Sequence, residues 1–135
     1  MSNRKTKYLV FREDFDHRAR ELKTKVILVG VSATPPNRVV EVNAIWDTGA
    51  THSVITPWAS DFLKLFPVDM VPIIGVNHER PETRPVSIIH VELPNSVLLQ
   101  TRRVSVTEIG DGADMLIGMD IIELFGNFSF RTNSF

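Results

Sequence analysis

The sequence predicts a mostly antiparallel β barrel or sandwich, and three observations carry that expectation. Short β-branched or alternating runs recur along the chain, clusters of Pro, Asn, Gly and Ser separate them at close spacing, and only two short stretches have helical character. At 135 residues the chain is long enough for one core, so residues 1–135 are read as a single domain. Residues 1–23 form an N-terminal extension whose structure the sequence leaves open.

Each element follows in order. Lys7 to Arg12 is a short apolar run, read as a strand. Glu13 to Lys23 mixes charges of both signs and suits an exposed loop or a short helix. Lys25 to Ser32 is β-branched and reads as a buried strand. Thr34-Pro35-Pro36-Asn37 turns the chain, and Arg38 to Trp46 returns as the second arm of a β-hairpin. Thr56-Pro57 offers a capping hydroxyl and a first-turn proline, so Pro57 to Phe66 reads as a helix. Trp58, Phe62, Leu63 and Phe66 fall at near-helical spacing; a substrate platform is the alternative for Trp58, but aromatic residues at that spacing are assigned to the core.

Met70 to Val76 reads as a strand, with Pro72 placing it at an edge or bulge. Asn77 to Pro85 is polar and holds two prolines, which suits an exposed hairpin tip. Val86 to Leu93 alternates with period two, Pro94-Asn95-Ser96 turns, and Val97 to Thr107 supplies two more short strands. After the Gly110-Asp111-Gly112 loop come a short helix from Met119 to Phe125 and a last strand from Asn127 to Arg131.

Composition narrows the function classes. The chain is 43% hydrophobic and 23% charged, which fits a globular protein and argues against disorder. A formal net charge of −1 gives no global field to recruit nucleic acid or an anionic membrane, and the basic run Arg4, Lys5, Lys7 is too short to change that. With no cysteine there is no disulfide, thiol nucleophile or thiolate metal site. No apolar signal core or membrane-length run is present, so the expectation is a soluble, cytoplasmic protein with no nucleic-acid or membrane partner. The four histidines, His17, His52, His78 and His90, show no short metal-ligand spacing, and Gly118 stands outside any phosphate loop. Neither a metal nor a cofactor is expected.

The chemistry concentrates at Ile45 to Ile55, Ile-Trp-Asp-Thr-Gly-Ala-Thr-His-Ser-Val-Ile. A strand delivers the Asp47 carboxylate to a tight turn, where Asp and Thr bond nearby backbone and Gly49 permits close approach. Late in the chain stands Met115-Leu116-Ile117-Gly118-Met119-Asp120-Ile121-Ile122. The Asp-Thr-Gly-Ala turn together with this apolar-apolar-Gly-x-Asp segment resembles the retropepsin-like (retroviral-type) aspartic protease family, in its cellular and bacterial branch.

That resemblance implies a retropepsin-like closed β-barrel with a flap hairpin, one or two short helices and an active site on a homodimer two-fold axis. It implies an aspartic endopeptidase in which Asp47 is catalytic. Peptide hydrolysis of this kind needs two carboxylates in one site, sharing a proton because like charges a few ångströms apart do not both ionise. The chain holds one Asp-Thr-Gly. Asp111 reads as a turn residue, Asp114 as a loop residue bonding backbone, and Asp120 as a structural support after the glycine. The remaining arrangement is a homodimer with one Asp47 from each subunit.

By the same resemblance, Thr48 and Gly118 support the site, with Thr48 bonding across the dimer. Gly49 supports it too, and with Ala50 it presents backbone to substrate. Thr51 and His52 line the groove; for His52 an exposed turn position is the alternative. The flap would include Gly75, Val76, Asn77 and His78, and the C-terminal stretch from Asn127 to Phe135 would join the dimer interface. Two departures from viral relatives stand out: Thr51 replaces an acidic residue, and the flap carries one glycine where theirs carry several. A polypeptide substrate follows. The rival reading is a catalytically weak or inactive retropepsin-like dimerisation or peptide-binding module.

Overall fold

Alternation decides the first hairpin. The computed structural model describes residues 22–31, 36–73, 82–110 and 112–126. In β1 (Lys23–Gly30), Thr24, Val26, Leu28 and Gly30 turn inward while Lys23 and Lys25 face water. β2 (Val39–Trp46) answers with Val42 and Ala44, and the antiparallel register sets Val26 opposite Val42. Both side chains enter one core, where burying a valine or leucine contributes about 1.5–3 kcal/mol.

Five further strands complete the sheet: β3 (Val54–Ile55), β4 (Asp69–Ile73), β5 (Glu82–Leu93), β6 (Val97–Val106) and β7 (Met115–Ile117). Their order is β1-β2-β7-β3-β6-β5-β4, and β5 pairs back onto β1, with Leu28 opposite Val91. That last pairing closes six strands into a barrel and leaves β4 outside, hydrogen-bonded to β5 alone. Of the two architectures the sequence allowed, the barrel is the one formed. Most pairs are antiparallel, but β2 runs parallel to β7 and β3 parallel to β6. The core holds Leu28, Ile55, Ile89, Met115, Ile117 and Ile122, all inaccessible to solvent.

Several expectations shift by a few residues for physical reasons. β4 stands at the edge, where Pro72 leaves no interior ladder bond unmade. β5 starts at Glu82, so residues 82–85, read as part of the hairpin tip, are strand. Pro85 is tolerated there because the β5–β6 ladder begins only at Val86, opposite Ser105. Val97 to Val106 is one strand, not two. Between Ile89 and Val91 the register against β6 slips by one, so a bulge lets β6 stay paired with β5 along nearly its whole length. The turn at Pro94–Ser96 is present, with Asn95 and Ser96 in left-handed backbone.

Helix α1 (Pro57–Phe62) starts as predicted and ends early. Thr56 caps it, its hydroxyl accepting from Ala59 N at 3.3 Å, and the backbone turns left-handed at Lys64. The aromatic residues assigned to the core are not in it. Ala59 and Leu63, four apart, face the barrel and are buried; Trp58 and Phe62 are 53% and 47% exposed, and Phe66 is 86% exposed. The rings of Trp58 and Phe62 lie against each other, centroids 5.5 Å apart. Leu63 packs so closely on β1 that a Cβ at Gly30 would stand 3.0 Å from its carbonyl oxygen. α2 (Met119–Ile122) continues as a 3₁₀ turn to Phe125 and stops at Gly126, φ +67°.

The expected strands over 7–12 and 127–131 and the flap tip lie outside the described residues. Among the described residues no helix is long and apolar enough to cross a membrane.

Candidate active site

β2 delivers its C-terminal end to the site. Trp46 is held by its indole N–H, which donates to the Thr24 hydroxyl at 2.7 Å, and by a tilted contact with Phe125. Asp47 N donates to Ile117 O at 2.9 Å, extending the β2–β7 pairing by one residue beyond the sheet. The chain then folds tightly on the aspartate. Gly49 N donates to Asp47 Oδ1 at 2.8 Å, and Ala50 N to Asp47 O at 3.2 Å, so the carboxylate shapes its own turn.

Behind the turn passes the C-terminal glycine segment. Met119 N donates to Ala50 O at 2.8 Å and Asp120 N to Thr51 O at 3.2 Å. Gly118 N donates to the Ser53 hydroxyl at 3.0 Å. A Cβ on Gly118 would stand 2.8 Å from both C and O of His52 and 2.9 Å from Ala50 O. Its φ of −93° is open to any residue, so space alone requires glycine here.

The Asp120 carboxylate accepts from Ser53 N, the Ser53 hydroxyl and Ile121 N, at 3.0, 2.7 and 2.8 Å. Three structural bonds hold it in place. Asp114 differs from its expected role: its carboxylate accepts from the Thr56 hydroxyl at 2.7 Å, while its own backbone bonds Thr56 N and Asn43 O. Asp111 lies outside the described residues.

Beside the turn opens a groove of about 720 Å³, within the usual range for a ligand site. Asp47, Ala50, Thr51 and His52 line it together. Thr48 and Gly49 are exposed at the turn itself, and Gly118 is buried beneath it. Gly75, Val76, Asn77 and His78 lie outside the described residues. The groove walls include Ile45, Val54, Val71, Ile109 and Leu116, an apolar lining broken by two further charged residues, Arg84 and Glu108. Asp47 is the one aspartate among the described residues that lines it, and no hydrogen bond there joins it to Glu108. Among the described residues no cluster of His, Asp and Glu has the arrangement to hold a metal ion.

Sequence reasoning passed over Ser53, Arg84 and Glu108. Ser53 lies inside the Ile45 to Ile55 stretch, between His52 and the apolar Val54, but its partner Asp120 stands far away in the chain. Arg84 falls in the polar stretch that reads as a surface tip, two residues before the alternation begins at Val86.

A family model described as aspartyl protease matches residues 31–121 of the chain. Three solved structures share the fold. EIAV protease, determined with the inhibitor HBY-793, has a TM-score of 0.57 at 17% identity over 87% of this chain and 99% of its own. The simian foamy virus (mac) protease gives 0.52 at 15% identity, covering 80% of this chain and 100% of its own. A retropepsin-like aspartic protease from Rickettsia conorii gives 0.51 at 17% identity, covering 84% and 90%. No curated protein matches the chain by sequence.

Proposed function

Since the chain belongs to the aspartyl protease family, we propose that it is an endopeptidase that hydrolyses peptide bonds in a groove shared by two copies of the chain. The carrying observation is the Asp47 turn. An incompletely buried carboxylate lines an open groove, its turn fixed from behind by Ile117 O and by the glycine segment. The other described late aspartates, Asp114 and Asp120, are occupied by Thr56 and by Ser53 and Ile121. Each chain thus contributes one reactive aspartate, and a two-fold axis supplies the second.

In the homodimer the two Asp47 carboxylates share one proton. The ionised one takes a proton from a water molecule as its oxygen attacks the peptide carbonyl carbon. The protonated one donates to the carbonyl oxygen. Collapse of the tetrahedral adduct then moves a proton to the amide nitrogen as the C–N bond breaks. Thr48 holds the paired turns, Gly49 and Ala50 present backbone to the extended substrate, and Thr51 and His52 contact its side chains. Gly75, Val76, Asn77 and His78 cover the substrate from the flap. The apolar walls favour hydrophobic residues beside the scissile bond.

The test is a mixed peptide library incubated between about pH 3 and 7 with wild type and Asp47→Asn, with products read by mass spectrometry. Cleavage by wild type alone, fading as both carboxylates ionise, supports the reading. Silence from a protein verified to be dimeric favours a peptide-binding module.

A further inference from the structure

One wall of the groove carries a charge for which the hydrolytic chemistry has no use. Arg84 lies on β5 opposite Val71 of the edge strand, and both line the groove. Its Nε–H is buried and has no hydrogen-bond partner. Among the described residues no carboxylate pairs with it: Glu108, which also lines the groove, is exposed and makes no ion pair with it. Arg103 on the neighbouring strand shows the ordinary alternative, pairing with Asp69 at 3.0 Å.

A buried cationic donor without an acceptor is disfavoured, so the site is better satisfied when something else brings the acceptor. The surroundings narrow what that is. Val71 and Pro72 beside Arg84 offer no side-chain acceptor, while the hydroxyls of Ser105 and Thr107, also on the lining, are further donors for an anionic oxygen. A planar guanidinium fork matches a carboxylate better than it matches a neutral carbonyl.

We propose that Arg84 is a specificity-determining residue that receives an acidic side chain, Asp or Glu, of the polypeptide bound in the groove. The proposal rests on the endopeptidase reading for its substrate class. In the homodimer there are two such walls, so the acidic preference recurs at positions related by the two-fold axis, on either side of the scissile bond. Apolar residues next to the bond, flanked by an acidic residue, define the substrate.

The experiment uses peptide pairs built on a library-derived cleavage sequence, each placing Glu or Gln at one flanking position. The readout is the ratio of kcat/KM for the Glu peptide over its Gln twin. Wild type gives a ratio of roughly 10 to 100 at one position on each side, the scale of a buried charge-assisted hydrogen bond. Arg84→Gln brings the ratio near one, Arg84→Lys leaves it intermediate, and Arg84→Glu turns the preference towards Lys. A wild-type ratio near one at every position overturns the proposal, as does a ratio that survives Arg84→Gln. Should wild type cleave nothing, Glu and Gln twins of an extended library peptide with an apolar centre, scanned across the flanking positions, are compared by Kd in calorimetry on Asp47→Asn protein with and without Arg84→Gln. An Arg84-dependent preference in binding then sustains the proposal while the endopeptidase reading falls. Equal binding, or none, overturns the proposal.

Discussion

Ser53 and Asp120, 67 residues apart in sequence, are joined by two hydrogen bonds: Ser53 N to Oδ2 at 3.0 Å and the Ser53 hydroxyl to Oδ1 at 2.7 Å. The same hydroxyl accepts from Gly118 N. One fully buried serine therefore ties the strand after the Asp47 turn to the glycine segment behind it.

Ser53→Ala removes that tie and leaves Gly118 N without its acceptor. The expected loss is about 1–3 kcal/mol of stability, the usual cost of orphaning a buried polar group. Urea unfolding measures it, and an unchanged midpoint would show that water replaces the hydroxyl.

Gly118→Ala tests the crossing directly. The new methyl meets backbone atoms of His52 and Ala50, which do not move aside as a side chain tip does. A loss of about 1–3 kcal/mol is expected from overpacking, together with reduced peptide cleavage as the Asp47 turn shifts. Full stability with full activity in this variant contradicts the packing described.

Thr56 has two tasks, capping α1 and donating to Asp114. Thr56→Ala forfeits both and is expected to cost about 1–2 kcal/mol, while Thr56→Ser, which keeps the hydroxyl, is expected to cost less. Thermal melts of the two variants side by side decide the matter.

Subunit mixing tests the two-fold site. If each dimer needs two intact Asp47 residues, a tenfold excess of Asp47→Asn chains leaves roughly one wild-type chain in eleven with a wild-type partner, and activity falls by that factor after exchange. Activity that ignores the added variant means that one chain suffices.

Asp69 offers a pH test away from the groove. A hydrogen bond from Met70 N, and then the Arg103 side chain, hold its carboxyl below its ordinary value of 3.8. A depressed folded-state value stabilises the fold above the unfolded value and is lost as pH falls through the folded one. Asp69→Asn is therefore expected to narrow slightly the stability difference between about pH 5 and pH 2, without reversing it. A wider difference in the variant would refute the assignment. The effect is small because the group is exposed.

What the sequence made legible was local. The β1–β2 hairpin follows from period-two alternation, the Asp47 turn from Asp-Thr-Gly, and the edge position of β4 from Pro72. What it hid depended on distance or on facing. Ser53 and Arg84 acquire meaning only from groups far along the chain. Barrel closure rests on a β1–β5 pairing that no local pattern announces. Trp58, Phe62 and Phe66 are apolar, yet a six-residue helix buries one narrow face, and the small Ala59 with Leu63 occupies it. The stretch read as two short strands runs on as β6, because the register slip near Gln100 keeps both parts paired with β5.

The crossing of Gly118 behind Ala50 and His52 also sets an order of events during synthesis. The backbone of residues 47, 50 and 51 is held by acceptors and donors at 117, 119 and 120, which leave the ribosome some seventy residues later. While the nascent chain grows, Asp47 has its local turn but not its backing. The candidate site is thus completed only after residue 120 has emerged, when nearly all the barrel is available to enclose it.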